Sequence, residues 1–72
     1  MILNYYAIKC NGLVYANYQT LEGAQKGLVE RARYLQEKQR VCIENVTSRS
    51  FDADWYGGHA NWKIVEVTLE LL

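Results

Sequence analysis

The pair Asn11-Gly12 constrains this chain more than any other feature. It stands between two runs rich in aliphatic and aromatic side chains, 3–10 (LNYYAIKC) and 13–19 (LVYANYQ). Asn-Gly is the preferred centre of a two-residue type I′ turn, because both central residues must take φ > 0. A β-hairpin follows. A two-residue turn sets Cys10 opposite Leu13, Ile8 opposite Tyr15, Ala7 opposite Ala16 and Tyr5 opposite Tyr18. Side chains alternate along strands. One face then carries Tyr6, Ile8, Cys10, Leu13 and Tyr15, and the other Leu3, Tyr5, Ala7, Val14, Ala16 and Tyr18. Both faces are apolar.

A helix is expected next, from Leu21 to Gln39, with Thr20 as its N-cap. Leu21, Ala24, Leu28, Ala32 and Leu35 repeat at the spacing of one buried stripe. Glu22, Lys26, Glu30, Arg33 and Glu37 form a solvated face of alternating charge. Gly23 and Gly27 each cost a helix up to about 1 kcal/mol, which suggests a close backbone contact. The small pair Ala7/Ala16 offers the helix a flat seat. The reading therefore buries that face of the hairpin and leaves Tyr6, Ile8 and Tyr15 as an apolar patch on the other, the kind of patch that marks an interface.

Residues 41–47 read as a third strand and 63–71 as a fourth, where Val65, Val67, Leu69 and Leu71 alternate with Ile64, Glu66, Thr68 and Glu70. The connection SRSFDADWYGGHAN is expected to turn at Gly57-Gly58 at the tip of a long hairpin. That turn pairs Arg49 with Glu66, Asp52 with Lys63, Phe51 with Ile64 and Thr47 with Thr68, matching opposite charges across strands. A bulge near 44–48 is needed to reconcile the faces. The fold class is α+β, β-β-α-β-β: one helix on a four-stranded antiparallel sheet in the order 2-1-3-4.

Composition narrows the function classes. At 72 residues the chain is one small domain. Half its residues are apolar and its net charge is zero, which argues against disorder. No run of about 18 apolar residues offers a membrane span. The first residues show no basic stretch followed by an apolar core, so a secretory signal is not expected. Cys10 and Cys42 then read as reduced thiols in a cytoplasm.

The chemistry-bearing residues are few. Cys10, Cys42 and His59 match no metal-ligand spacing, so neither metal nor cofactor is expected. Asp52, Asp54 and His59 share one connection with Ser48 and Ser50 near them, but no nucleophile elbow or phosphate loop accompanies them. Such residues on a hairpin tip usually serve turns and solvent. Nucleic-acid binding draws on the aromatic residues Tyr6, Tyr15, Trp55 and Trp62. It also needs cations. Residues 1–19 hold one (Lys9). Residues 20–40 hold five (Lys26, Arg31, Arg33, Lys38, Arg40) against three acids. Residues 41–72 hold two (Arg49, Lys63) against five acids. No strongly basic face results.

A protein partner fits better. Phe51, Trp55 and Tyr56 share one exposed connection with Asp52, Asp54 and His59. Aromatic residues anchor interfaces, and acids meet basic partners. The expected site is Asp52, Asp54, Trp55, Tyr56 and His59. The expected activity is non-enzymatic: an inhibitor or adaptor of a larger protein, with a nucleic-acid-binding regulator as the alternative. The open sheet face adds the expectation of a homodimer. In size and in its want of catalytic residues the chain is similar to the small accessory proteins of phages and mobile elements, and no motif narrows that likeness.

Overall fold

The computed structural model describes residues 2–70. Its elements are β1 (Ile2–Cys10), β2 (Leu13–Tyr18), α1 (Leu21–Lys38), β3 (Cys42–Glu44), β4 (Ser50–Trp55) and β5 (Gly58–Glu70). The α+β class holds, with five strands among the described residues rather than four. Their order is β2-β1-β5-β4-β3, with every neighbouring pair antiparallel. Helix α1 carries the chain from one edge of the sheet to the other.

The extra strand arises where the expected third strand breaks. Asn45 takes φ 52, which ends β3 after three residues. The next residues close on themselves: Thr47 N–H donates to the Ser50 carbonyl at 2.8 Å, and Arg49 N–H donates to Thr47 Oγ1 at 3.2 Å. Gln25 of α1 ties this loop down by donating to the Ser48 carbonyl at 3.1 Å. The ladder resumes as β4. The expected order 2-1-3-4 fails for a related reason. A three-residue β3 offers β1 little, whereas β5 pairs with β1 over nine residues, from Ile2↔Glu70 to Cys10↔Trp62. Leu71, the last residue expected in this strand, lies outside the described residues.

Both hairpins differ from the expected register. In the first, Asn11 (φ 50) and Gly12 (φ 86) form the turn, and Cys10 faces Leu13. A β-bulge in β2 then accommodates Tyr15, so Ile8 faces Ala16, Ala7 faces Asn17 and Tyr6 faces Tyr18. In the second, the turn is Tyr56-Gly57, with Gly57 at φ 88 and Trp55 paired to Gly58. Phe51 therefore faces Trp62 instead of Ile64, and Asp52 faces Asn61 instead of Lys63.

The helix matches its expected span to within one residue. Thr20 caps it, accepting from Gly23 N–H at 3.0 Å. Ala24, Leu28 and Leu35 of the apolar stripe are buried. The face they cover is the reverse of the one expected. The core joins Ile8, Phe51, Ala53, Ala60, Trp62 and Ile64 to the helix stripe, with Tyr6, Cys10 and Tyr18 packed against it. Ile8 is fully buried, Tyr6 is half-buried and Tyr15 sets its edge on Trp62 at 5.1 Å. The patch Tyr6, Ile8 and Tyr15 thus lies on the covered side of the sheet. Ala53 and Ala60, a register pair, supply the small residues in this core. Tyr18 explains Gly27: a Cβ there would run into the tyrosine ring.

The covered region is only part of the sheet. The molecule measures 47 × 21 × 18 Å. Strand β2 pairs with β1 from Tyr6 onward, and β4 pairs with β5 only over Gly58–Lys63. Beyond those limits Ile2–Tyr5 and Val67–Glu70 run on as a two-stranded arm.

Candidate functional site

The second hairpin distributes the expected site residues over two faces. Alternation along β4 sends Phe51, Ala53 and Trp55 to the helix side and Asp52 and Asp54 to the open side. His59 and Asn61 of β5, partners of Asp54 and Asp52, join the open side. Tyr56 sits in the turn itself and is wholly exposed. Trp55, 46% exposed, lies over Gly58, where any side chain would collide with the indole.

On the open side the acids and the histidine do come together. His59 Nδ1 bonds Asp54 Oδ1, and His59 Nε2 lies 3.9 Å from Asp52 Oδ1. Asn61 Nδ2 and Asn45 Nδ2 each donate to Asp52 at 2.8 Å, to different oxygens. Asn61 N–H in turn donates to Asn11 Oδ1 at 2.8 Å, which locks the first turn onto β5. Chain geometry explains Asn45: its left-handed backbone, tolerated by Asn better than by most residues, accompanies a side chain that reaches back to β4. The amide donors of Asn61 and Asn45 hold the Asp52 carboxyl below its ordinary value. Asp54 pushes the His59 ring above its ordinary value.

This cluster is a charge centre on an open surface. No hydroxyl or thiol among the described residues is hydrogen-bonded to His59. Cys42 stands in the same row, paired with Asp54 across β3 and β4. Partial desolvation and the neighbouring Glu44 push its thiol up, and it donates to Glu44 Oε1 at 3.6 Å. A protonated thiol is a poor nucleophile. Cys10 and Cys42 are both free. Among the described residues no group of three or more His, Cys, Asp or Glu could hold a metal ion.

The helix side of the same hairpin is different. Trp55 lines a cavity of about 300 Å³ together with Trp62, Leu35, Val41, Gln39 and Arg31. Arg31 is the residue that sequence reasoning passed over. Its guanidinium lies 5.0 Å from the ring of Tyr15 and 5.1 Å from the rings of Tyr34 and Trp62. The signal was present: Arg31 falls three residues after Leu28 and four before Leu35, beside the buried stripe rather than opposite it.

Trp62, one of the rings available in sequence for stacking on bases, is buried and stacked on Phe51 at 6.0 Å. With Tyr6 and Tyr15 it belongs to the covered side of the sheet; Tyr15 and Tyr34 keep about half of their surface exposed there, and in the second hairpin Trp55 and Tyr56 present rings to solvent. No helix among the described residues is long and apolar enough to cross a membrane. No protein-family model matches the chain, and no curated protein or solved structure matches it.

Proposed function

We propose that this chain is a non-enzymatic protein-binding module, an inhibitor or adaptor that docks on a larger protein through the Trp55-Tyr56 end of its second hairpin. One observation carries the reading: a wholly exposed Tyr56 adjoins a half-exposed Trp55 on a tight turn. Large rings with two side-chain torsions lose little entropy when a partner orders them. Placed on a rigid hairpin they are the residue types that dominate binding energy. Asp54 and Asp52 stand on the reverse of the same hairpin, so a partner with a basic rim is steered toward it.

Tyr56 is the residue to change, because nothing in the fold depends on it. The expected result is that a partner captured by the parent chain is lost by Tyr56→Ala while the melting temperature stays unchanged. Capture that survives both Tyr56→Ala and Trp55→Ala would refute the reading. Binding to a mixed-sequence oligonucleotide, with affinity falling steeply as salt rises, would instead favour the nucleic-acid alternative.

A further inference from the structure

We propose that the cavity between the C-terminal half of α1 and the Trp55 end of the sheet is a binding site for an apolar-bodied carboxylate, with Arg31 as its anchor. The cation is the first argument. A guanidinium carries five N–H donors in a fixed fork. Arg31 makes no ion pair with any carboxylate of the described residues, and its Nε is buried without a hydrogen-bond partner. Three aromatic rings offer it faces but no acceptor. An arginine held so, within a clamp of Tyr15, Tyr34 and Trp62, has its charge fixed in place and its Nε–H without an acceptor.

The cavity beside it is the second argument. Its volume of about 300 Å³ is at the lower end of the range that small-ligand sites occupy. Trp55 and Trp62 give it aromatic walls, Leu35 and Val41 an aliphatic side, and Gln39 a neutral polar group. The wall area is mostly apolar. The chemistry that matches is one planar anion on a ring or branched aliphatic body. A carboxylate takes the guanidinium fork through two parallel bonds, which a single-point anion does not. Glu30 lines the neighbouring cavity on the far side of Arg31 and does not ion-pair with it. Such a group comes from a free small acid or from the carboxyl end of a peptide; both present the same chemistry.

The test uses the full chain labelled with nitrogen-15 and follows the indole N–H signals of Trp55 and Trp62. The probes are N-acetylphenylalanine and its amide, and a hexapeptide ending in Phe with a free or an amidated terminus. The expected result is a saturable shift of both signals with the acids, weakened by about tenfold or more with the amides. Saturation by N-acetylphenylalanine alone assigns a free small acid; saturation by the hexapeptide acid, with or without the small one, assigns a chain end. Arg31→Lys keeps the charge without the fork and should bind more weakly than the parent, and Arg31→Met should not bind. Acid and amide acting alike, no shift at millimolar probe, or Arg31→Met binding as the parent does would each overturn the proposal. The acid–amide comparison on the parent chain decides the matter even where a variant fails to fold. Loss of partner capture in Tyr56→Ala tests the docking reading separately, since Tyr56 does not line this cavity.

Discussion

The two halves of β5 are built to different standards. From Gly58 to Ile64 the strand runs beside β4, with β1 on its other side from Trp62 onward, and sends Ala60, Trp62 and Ile64 into the core beneath α1. From Val65 to Glu70 it pairs with β1 alone, and Leu69 and its partner Leu3 remain exposed. The bare half has the cleaner alternation: Val65, Val67 and Leu69 against Glu66, Thr68 and Glu70. The covered half, GHANWKI, looks like a polar connection. Alternation therefore identified a strand and said nothing about whether a core lay against it. A two-stranded ribbon is marginal by itself, so stability resides in the half that reads less like a strand.

Truncations on the two halves should separate them most widely. Trp62→Ala removes a buried ring that touches both Phe51 and Tyr15. The expected loss is about 3–5 kcal/mol. Total stability for a chain of this length is on the order of 4–10 kcal/mol, so urea denaturation should find the variant stripped of about a third of its stability or more. Leu69→Ala on the bare half should cost no more than about 1 kcal/mol. Equal losses at the two sites would abolish the distinction.

The same contrast explains what sequence alone made legible. The Asn11-Gly12 turn, α1 with its cap and stripe, and the bare half of β5 each announce themselves through local chemistry. The helix-covered face was decided elsewhere, by parity in the second hairpin. Phe51, Ala53 and Trp55 alternate with Asp52 and Asp54, and Ala60, Trp62 and Ile64 alternate with His59, Asn61 and Lys63. With a two-residue turn at Tyr56-Gly57, as also at Gly57-Gly58, those two apolar sets share a face. Since Cys10 faces Trp62, and Ile8 faces Ile64, the hairpin side carrying Ile8 must be buried with them. Placing the turn one residue later lost the pairing of Asp52 with Asn61. The irregularity expected near 44–48 appears as the break at Asn45, larger than a bulge, whereas the bulge at Tyr15 had no local signal strong enough to show. They answer to cross-strand demands, Tyr15 to Trp62 and Asn45 to Asp52.

The turn that pins the covered end gives the next largest effect. Gly12 has φ 86 and nothing within 4 Å of the position a Cβ would take. Gly12→Val therefore meets backbone strain and no steric clash. A β-branched residue at positive φ is a conformational outlier, with an expected cost of about 1–3 kcal/mol. Denaturation that leaves the midpoint unmoved would mean the turn is not held at that φ.

Where the helical cover ends, at Tyr18, the expected effect changes sign with context. Gly27→Ala gains up to about 1 kcal/mol of helix propensity, but its Cβ would strike the Tyr18 hydroxyl and ring. Tyr18 is half-buried and packs on the core, so it does not give way freely. The substitution should destabilise the parent chain and stabilise a Tyr18→Ala background. A double-mutant cycle measures that reversal. Independent, additive effects would show that the ring does not hold the helix at Gly27.

The smallest expected effect belongs to the open face of the covered end, where His59 and Asp52 titrate in opposite senses. The His59 pKa is raised above its ordinary 6.5, chiefly by the hydrogen bond that its ring N–H donates to Asp54. Folding thus favours the protonated ring. Its contribution is complete below 6.5 and fades as pH climbs through the raised value. The Asp52 pKa is lowered below 3.8 by the amide donors of Asn61 and Asn45. Its contribution is complete above 3.8 and fades as pH falls through the lowered value. Both are present together between 3.8 and 6.5, so the melting temperature should be highest there as far as these two groups govern it. Solvent screens both groups, which keeps the change small. Proton NMR titration resolves it better than melting does: the His59 ring should titrate above 6.5 in the parent chain and return toward 6.5 in Asp54→Asn. A ring that titrates identically in both would mean that the Asp54–His59 bond does not persist in solution. The open face would then be a field of separate charges, and the contrast between the two sides of the second hairpin would reduce to burial alone.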